Sequence, residues 1–266
     1  IGFGKNPNVG AVLVVGLGCE GIQAKEIADG ISESGKPVEY IVIQEEGGTC
    51  KTVARGAEIA GKMARELAKQ NKVEFDISEI VLGLECGGSD PTSGLASNPA
   101  IGVASDMLVA EGGSSILSET TECIGAEHLL AERFVNDIEK EKFLSMVKRV
   151  EDRSYAAGHD LREGQPTPGN KAGGLTTIEE KSLGCMHKAG KSTFMGALEY
   201  AEEIPYDKKG LYFMDTPGQD IDSITGMVAG GAQIIVFSTG RGTPTGSPIA
   251  PVIKITGNTG TYNKMT

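Results

Sequence analysis

The sequence contains no tryptophan, no long apolar run and no excess of basic residues. Its longest apolar stretch, Val9 to Leu17, is far shorter than the roughly 20 residues of a membrane-spanning helix. Lys and Arg number 25 against 36 Asp and Glu, a net charge of −11. Nucleic acids and anionic membranes favour a basic surface. We therefore predict neither a nucleic-acid nor a membrane partner, while a small anionic ligand stays open because local loops determine its binding.

Cysteine pairs at short spacing are also missing. The five cysteines are odd in number, lie in separate segments and include no CxxC pair, which argues against a disulfide framework, a structural zinc site or an iron–sulfur cluster. Free thiols indicate a reducing compartment, and no basic-then-apolar leader is present, so we expect a cytoplasmic protein. The chain starts at Ile1 rather than at a methionine, which leaves room for an upstream segment.

Apolar runs and helical patterns alternate along the chain. Strands are predicted over residues 9–17, 38–43, 80–84, 114–117, 211–214, 234–237 and 252–256. Helical patterns separate them, and two more helices are predicted over residues 175–188 and 197–203. This order predicts an α/β fold: an open, mostly parallel Rossmann-like sheet of about six or seven strands with helices on both faces. We expect one catalytic domain over residues 1–266, with a helix-and-loop excursion at about 124–174.

Glycine is abundant, at 38 residues, and it clusters with reactive side chains where the predicted strands end. A strand-to-helix turn needs glycine for its own geometry, so one such loop indicates little. In a parallel sheet, however, all carboxyl ends share one edge, where helix N-termini attract carboxylate or phosphate. Six loops therefore predict a site for a small anion: GLGCEG, QEEGGTCKT, LECGGSDPTSG, SETTEC, DTPGQD and STGRGTPTG.

A nucleotide site is not expected, although residues 188–193 (KAGKST) resemble the end of a phosphate-binding loop. A phosphate-binding loop has a glycine at the position that Cys185 occupies in this chain. Such a loop also follows a strand, whereas residues 188–193 follow a predicted helix. The sequence has no HExxH or HxH motif that would bind a metal ion. A metal site would need ligands from several loops, with Glu85, Cys86, Glu119 and Glu122 as candidates of the right chemical kind.

The motifs together resemble the altronate/galactarate (sugar-acid) dehydratase family over essentially the whole chain. They read GLGCE, LECGGSD, NPA, SETTE, PTPGNKAGGLTTIEEKSLG and STGRGTPTGSP. Members of this family carry a small β-rich domain upstream, either fused or as a separate subunit, and continue beyond the position of Thr266. The resemblance therefore implies that the chain is a fragment with such a domain or subunit as partner, and a homo-oligomer is among the expected assemblies.

The resemblance implies a lyase that dehydrates a sugar acid to a 2-keto-3-deoxy acid with Fe(II), or alternatively Mn(II). Removal of the α-proton leaves an enediolate that a metal and cations must stabilise. We expect Cys86, Glu119 and Glu122 as metal ligands, and Lys171, Arg241 and His128 as catalytic residues, with Arg241 clamping a carboxylate. Substrate contacts are expected from Gln44, Thr49, Ser89, Asp90, Asn98, Asn170, Thr239 and Thr243.

Two alternative functions stay open. The family includes sulfolactate sulfo-lyases, which release sulfite in place of water, so membership does not name the substrate. The second alternative is a non-catalytic ligand-binding or regulatory domain.

Overall fold

The strands among residues 1–265 form two separate parallel sheets, one of two strands and one of six. The computed structural model describes residues 1–265. Their contacts define a first unit, Ile1–Phe75, and a second unit that begins at Asp76. The sequence predicts one domain, because the strand-helix alternation runs past residue 75 without a break. The structure differs, since pairing in the described residues leaves the first two strands in a sheet of their own.

The first unit is a small layer of strands and helices. Helix α2 packs on the two strands and buries Ala24, Ala28 and Ile31. Helix α3 is amphipathic in sequence, yet only Thr52 is buried along it. Its elements in order are α1 (Gly2–Lys5), β1 (Val12–Gly16), α2 (Ala24–Ser32), β2 (Val38–Val42) and α3 (Thr49–Leu67).

The second unit contains the six-stranded sheet, whose strands are all parallel. Their spatial order is β5-β6-β4-β3-β7-β8. The strands are β3 (Val81–Cys86), β4 (Ser114–Leu117), β5 (Phe194–Leu198), β6 (Leu211–Met214), β7 (Ile234–Ser238) and β8 (Val252–Ile255). The predicted α/β class with a parallel sheet is confirmed.

Helices surround this sheet. They are α4 (Asn98–Ala110), α5 (Glu127–Ala131), α6 (Asp137–Ala156), α7 (Leu161–Gly164), α8 (Pro168–Ala172), α9 (Ile178–Met186), α10 (Asp220–Ala229) and α11 (Thr259–Lys264). The predicted excursion at 124–174 corresponds to α5 through α8, of which α7 and α8 are short helices. Within residues 1–265, no helix has both the length and the apolar character that a membrane span requires.

The core of the second unit lies between the sheet and its helices. Strands β4 and β6 are buried along their whole length, as expected for a parallel sheet covered on both faces. Four of the chain's seven phenylalanines form one contact chain, with ring centroids 4.7–5.1 Å apart. They are Phe134, Phe143, Phe194 and Phe213, and they join α6 to β5 and β6.

One predicted helix is wrong. Residues 197–203 are rich in Ala and Glu, which favour helix, but Ala197 and Leu198 belong to β5 and pair with β6. The strand ends before Ala201, which adopts a left-handed backbone (φ 62°). Strand pairing within the buried sheet outweighs the local helix propensity here.

The strand order of the six-stranded sheet changes direction between β3 and β7. The chain leaves β3 towards β4 on one side and leaves β7 towards β8 on the other, and ligands bind where parallel strands diverge in this way. Backbone bonds join the two loops: Gly240 N and Arg241 N donate to Gly88 O at 3.2 and 3.0 Å.

Candidate active site

Glu119 lies just after β4 and holds three segments together. Its backbone is left-handed (φ 68°, ψ 71°), which is uncommon for a residue other than glycine and is found at functional sites. Its N–H donates to Thr216 Oγ1 at 2.8 Å, and its Oε2 accepts the N–H of Cys86 at 3.0 Å. The Lys188 ammonium donates to the same oxygen at 2.6 Å. Glu119 thereby fixes the backbone at the end of β3.

Lys188 brings a buried positive charge to this edge. Burial lowers the pKa of Lys188, but the negative charges of Cys86 and Glu119 outweigh it and raise that pKa well above its ordinary value. The lysine is therefore charged at neutral pH. Glu85, also buried, accepts a hydrogen bond from Ser223 Oγ at 2.7 Å. Burial raises the pKa of Glu85 to about 8, so this carboxyl is mostly protonated at neutral pH.

Cys86, Glu122 and Cys185 form a buried cluster. The two sulfurs lie 3.5 Å apart, and Cys185 Sγ lies 3.3 Å from Glu122 Oε2. The hydrogen bond with Cys185 lowers the pKa of Cys86 to about 6; burial opposes this shift and the Lys188 charge assists it. The same hydrogen bond and burial raise the pKa of Cys185 well above its ordinary value. Cys86 is thus the thiolate of the pair.

The cluster offers a ligand set for a metal ion. One ligand atom from each of Cys86, Glu122 and Cys185 lies within 4.8 Å of the others. Mixed sulfur and carboxylate ligands suit a divalent transition ion better than magnesium or calcium. Of the predicted ligands, Cys86 and Glu122 are brought together, whereas Glu119 pairs with Lys188 and Cys185 takes the third place.

A cavity of about 260 Å³ adjoins this cluster, and Cys185 forms part of its wall. Lys181 also lines it, with its ammonium 2.8 Å from Glu122 Oε1. Burial lowers the pKa of Lys181, but the charge of Glu122 outweighs it, so the net shift is upward. Asn98 donates its amide N–H to Gly184 O at 2.9 Å. Ser89 and Asp90, two other predicted substrate contacts, lie in the same wall.

Asp90 and Asn170 organise loops. Asp90 accepts hydrogen bonds from Thr92 Oγ1 at 2.6 Å and from Asn258 Nδ2 at 2.8 Å. Asn170 Nδ2 donates to Ser89 O at 3.0 Å and thereby ties the PTPGN segment to the loop after β3. Both side chains are buried, and these hydrogen bonds join them to other groups of the protein.

Arg241 and Lys171 are exposed at the same edge. Arg241 Nη1 donates to Gly169 O at 2.7 Å, and Lys171 lies two residues further along in α8. Thr239 Oγ1 accepts from Gly242 N at 2.9 Å, and Thr243 Oγ1 lies 3.0 Å from Thr245 Oγ1. These contacts shape the loop that carries Arg241.

The remaining predicted site residues are one histidine in the second unit and two residues in the first unit. His128 lies on α5 with an exposed side chain, whereas the sulfur and carboxylate cluster is buried. Gln44 and Thr49 belong to the first unit: Gln44 N donates to Leu17 O at 3.1 Å after β2, and Thr49 begins α3. Both side chains are exposed.

Sequence reasoning missed Lys181, Cys185 and Lys188 as site residues. Their spacing (i, i+4, i+7) is the signal that could have identified them, because it places three reactive side chains on one helical face. Gly102 in α4 permits the close approach of the turn that carries Lys188, since a Cβ there would overlap the His187 carbonyl oxygen and lie 2.8 Å from Gly190 N. The backbone N–H groups of Lys191 and Ser192 bind the Asp106 carboxylate at 2.8–3.0 Å.

Comparisons with known proteins cover both units. The sequence model described as D-galactarate/Altronate dehydratase, C-terminal, matches residues 77–266. The one described as D-galactarate dehydratase/Altronate hydrolase, second domain, matches residues 1–68. The interval between them contains the boundary between the two structural units.

Individual relatives are similar along nearly the whole chain. An altronate dehydratase of Bacillus subtilis is 39% identical over 262 residues, which is 97% of this chain and 51% of that protein. A galactarate dehydratase (L-threo-forming) of Escherichia coli is 38% identical over 266 residues, 97% of this chain and 50% of that protein. A (2R)-sulfolactate sulfo-lyase subunit beta of Chromohalobacter salexigens is 40% identical over 268 aligned residues, 100% of this chain and 67% of that protein.

The chain spans about half the length of these two dehydratases. The matched models and the identities agree with each other, and with the motifs at the strand ends. The chain belongs to the D-galactarate/altronate dehydratase family.

Proposed function

We propose that this chain carries the reaction centre of a hydro-lyase that dehydrates an altronate- or galactarate-type sugar acid to a 2-keto-3-deoxy acid. The observation that carries the proposal is the buried Cys86–Glu122–Cys185 cluster beside a cavity lined by a charged lysine. Family membership and the names of the two dehydratases support the same reaction. Because the chain spans about half of those proteins, the proposal concerns the activity of the complete protein.

The chemistry requires concentrated positive charge. Loss of the proton next to a carboxylate spreads two negative charges over the enediolate. We propose Fe(II), with Mn(II) as the alternative, held by Cys86, Glu122 and Cys185; when bound, it would supply Lewis-acid stabilisation of substrate oxygens. Sulfur ligands favour Fe(II) over Mn(II), because Mn(II) prefers carboxylate, carbonyl and water oxygens.

The protein's own groups have distinct tasks in this proposal. The hydrogen bond with Cys185, assisted by the positive charge of Lys188, keeps Cys86 in its thiolate form, and Glu119 holds the backbone of Cys86 in place. Arg241 binds a substrate carboxylate through its planar fork. Lys171, on the segment that Arg241 contacts, assists proton transfer or stabilises the enolate. The loops of Asp90 and Asn170 position these groups.

Sulfite elimination from sulfolactate is the second candidate, and the 40% identity to a sulfo-lyase subunit supports it. It begins with the same loss of an α-proton and differs only in the leaving group. That relative is named as a subunit beta, and we propose that the complete protein likewise includes a small β-rich domain or subunit. A non-catalytic binding role is the third candidate.

One panel separates the three candidates. The complete protein is loaded with Fe(II) under anaerobic, reducing conditions and offered altronate, galactarate and sulfolactate, with keto-acid and sulfite assays. We expect keto acid from one of the two sugar acids, and loss of turnover in Cys86→Ser but not in Cys123→Ser, a buried thiol outside the cluster. Sulfite release would support the sulfo-lyase. No product from any acid would contradict both enzymatic candidates.

A further inference from the structure

The cavity beside the cluster has an uneven chemical lining. Leucine and proline side chains form part of its wall, and polar or charged residues form another part, among them Asp90, Asn98, Glu180 and Lys181. Two of these groups, one buried and one nearly buried, have unused hydrogen-bonding capacity in the described part of the chain. One is the ammonium of Lys181 and the other is the amide oxygen of Asn98.

Lys181 has one donor more than its protein contacts use. Its side chain is 10% exposed, and its Nζ lies 2.8 Å from Glu122 Oε1 and 3.2 Å from Gln165 Oε1. An ammonium carries three N–H donors, so one is left for an acceptor within the cavity. Glu122 balances the charge while the lysine keeps its proton.

Asn98 has an unused hydrogen-bond acceptor, whereas Lys181 has an unused donor. The residue is 1% exposed, and its Oδ1 accepts no hydrogen bond among residues 1–265. Its Nδ2 donates to Gly184 O, which fixes the amide so that Oδ1 is the atom without a partner. A buried carbonyl oxygen without a donor is destabilising, so a donor from a bound molecule would stabilise the site.

An anionic acceptor would satisfy Lys181 and a hydroxyl donor would satisfy Asn98, and a hydroxy acid carries both groups. We infer that this cavity binds the carboxylate of a hydroxy acid on Lys181 and one of its hydroxyls on Asn98 Oδ1. The inference rests on the proposed function and locates the acid end of its substrate. It leaves exposed Arg241 for a second acidic group, which galactarate and sulfolactate have and altronate lacks.

A purely structural role for Lys181 would be to neutralise Glu122. The test separates the two roles with paired probes: galactarate and galactitol, then altronate and altritol, in which each carboxylate is replaced by a neutral alcohol. Calorimetric titration of the metal-free complete protein measures binding without turnover. The variants are Lys181→Met and Lys181→Arg, with Lys148→Met, an exposed lysine paired to Asp152, as the matched control.

We expect Lys181→Met to weaken binding of the acid by about 10- to 100-fold and to leave binding of the alcohol unchanged. Lys181→Arg should restore part of the loss, because it keeps the charge, and Lys148→Met should behave as wild type. Equal losses for acid and alcohol would assign Lys181 a structural role and overturn the inference. Absence of binding of both acids to the wild type would overturn it as well.

The two proposals fail in different ways. A wild type that binds acids in preference to alcohols through Lys181 but forms no product contradicts the proposed reaction and leaves the inference standing. A wild type that forms keto acid, with a Lys181→Met variant that keeps the same preference for acids, supports the reaction and overturns the inference.

Discussion

The Lys188 ammonium lies 2.6 Å from Glu119 Oε2, and both side chains are buried. The same oxygen accepts the N–H of Cys86, so the ion pair is connected to the backbone that presents a cluster sulfur. A buried pair balances two charges that would each be costly alone. The position and the charge of Cys86 therefore depend on Lys188, which is distant from it in the sequence.

Removal of one partner of this pair should be strongly destabilising. We expect Lys188→Met to lower the free energy of unfolding by about 3–5 kcal/mol, because Glu119 would be left buried and unpaired. The double variant Lys188→Met/Glu119→Gln should recover much of that loss. Urea unfolding measures both. Lys148→Met, at an exposed pair, should cost at most about 1 kcal/mol, and a similar small effect at Lys188 would contradict the role of the buried pair.

A methyl group at Gly102 should disturb the turn that carries Lys188. The added Cβ would overlap the His187 carbonyl, so Gly102→Ala should destabilise the protein by about 1–3 kcal/mol. Gly61→Ala in α3 is the matched control, because the nearest atom would be the flexible end of Arg65 at 3.5 Å. That substitution should be neutral or stabilising, by up to about 1 kcal/mol. Thermal unfolding measures the stability of both variants. An equal change in stability in the two would contradict close packing at Gly102.

The five thiols should react in two classes. Cys19 and Cys50 are exposed, while Cys86, Cys123 and Cys185 are buried. We expect iodoacetamide to modify the first two rapidly and the other three only after unfolding, because a low pKa does not make a thiol reactive without access. Peptide mass spectrometry assigns each site. Modification of Cys86 as fast as that of Cys50 in the folded protein would contradict the buried cluster.

Arg241 and Lys171 should affect different kinetic parameters. Arg241→Lys keeps the charge but loses the planar fork, so KM should rise by about tenfold with kcat nearly unchanged. Lys171→Met should instead lower kcat by about 100-fold, because it removes help to a charge that develops only in the transition state. Steady-state kinetics measure both, with galactarate or sulfolactate as the substrate, because these acids have a second acidic group for Arg241. Near-native kcat/KM with a lowered Tm would show that the two residues are structural.

The sequence predicts the parallel sheet well, because buried strands such as β3 and β7 are short apolar runs followed by glycine. It misses β5, whose Ala197 and Leu198 fit a helix equally well until they pair with β6. It also misses the division near residue 75, since strand pairing rather than local pattern separates the sheets. Cys86 and Glu122 follow from the edge rule for parallel strands. Cys185 does not, because α9 reaches that edge only through tertiary packing.

Cys185 supplies one of the three ligand atoms of the proposed metal site. The complete protein and its Cys185→Ser and Cys123→Ser variants are loaded anaerobically with Fe(II), freed of excess metal and analysed for iron per chain. We predict about one iron per chain in the wild type and in Cys123→Ser, and at least a tenfold loss of affinity in a folded Cys185→Ser. Full occupancy at unchanged affinity in Cys185→Ser would contradict the assignment of the cluster.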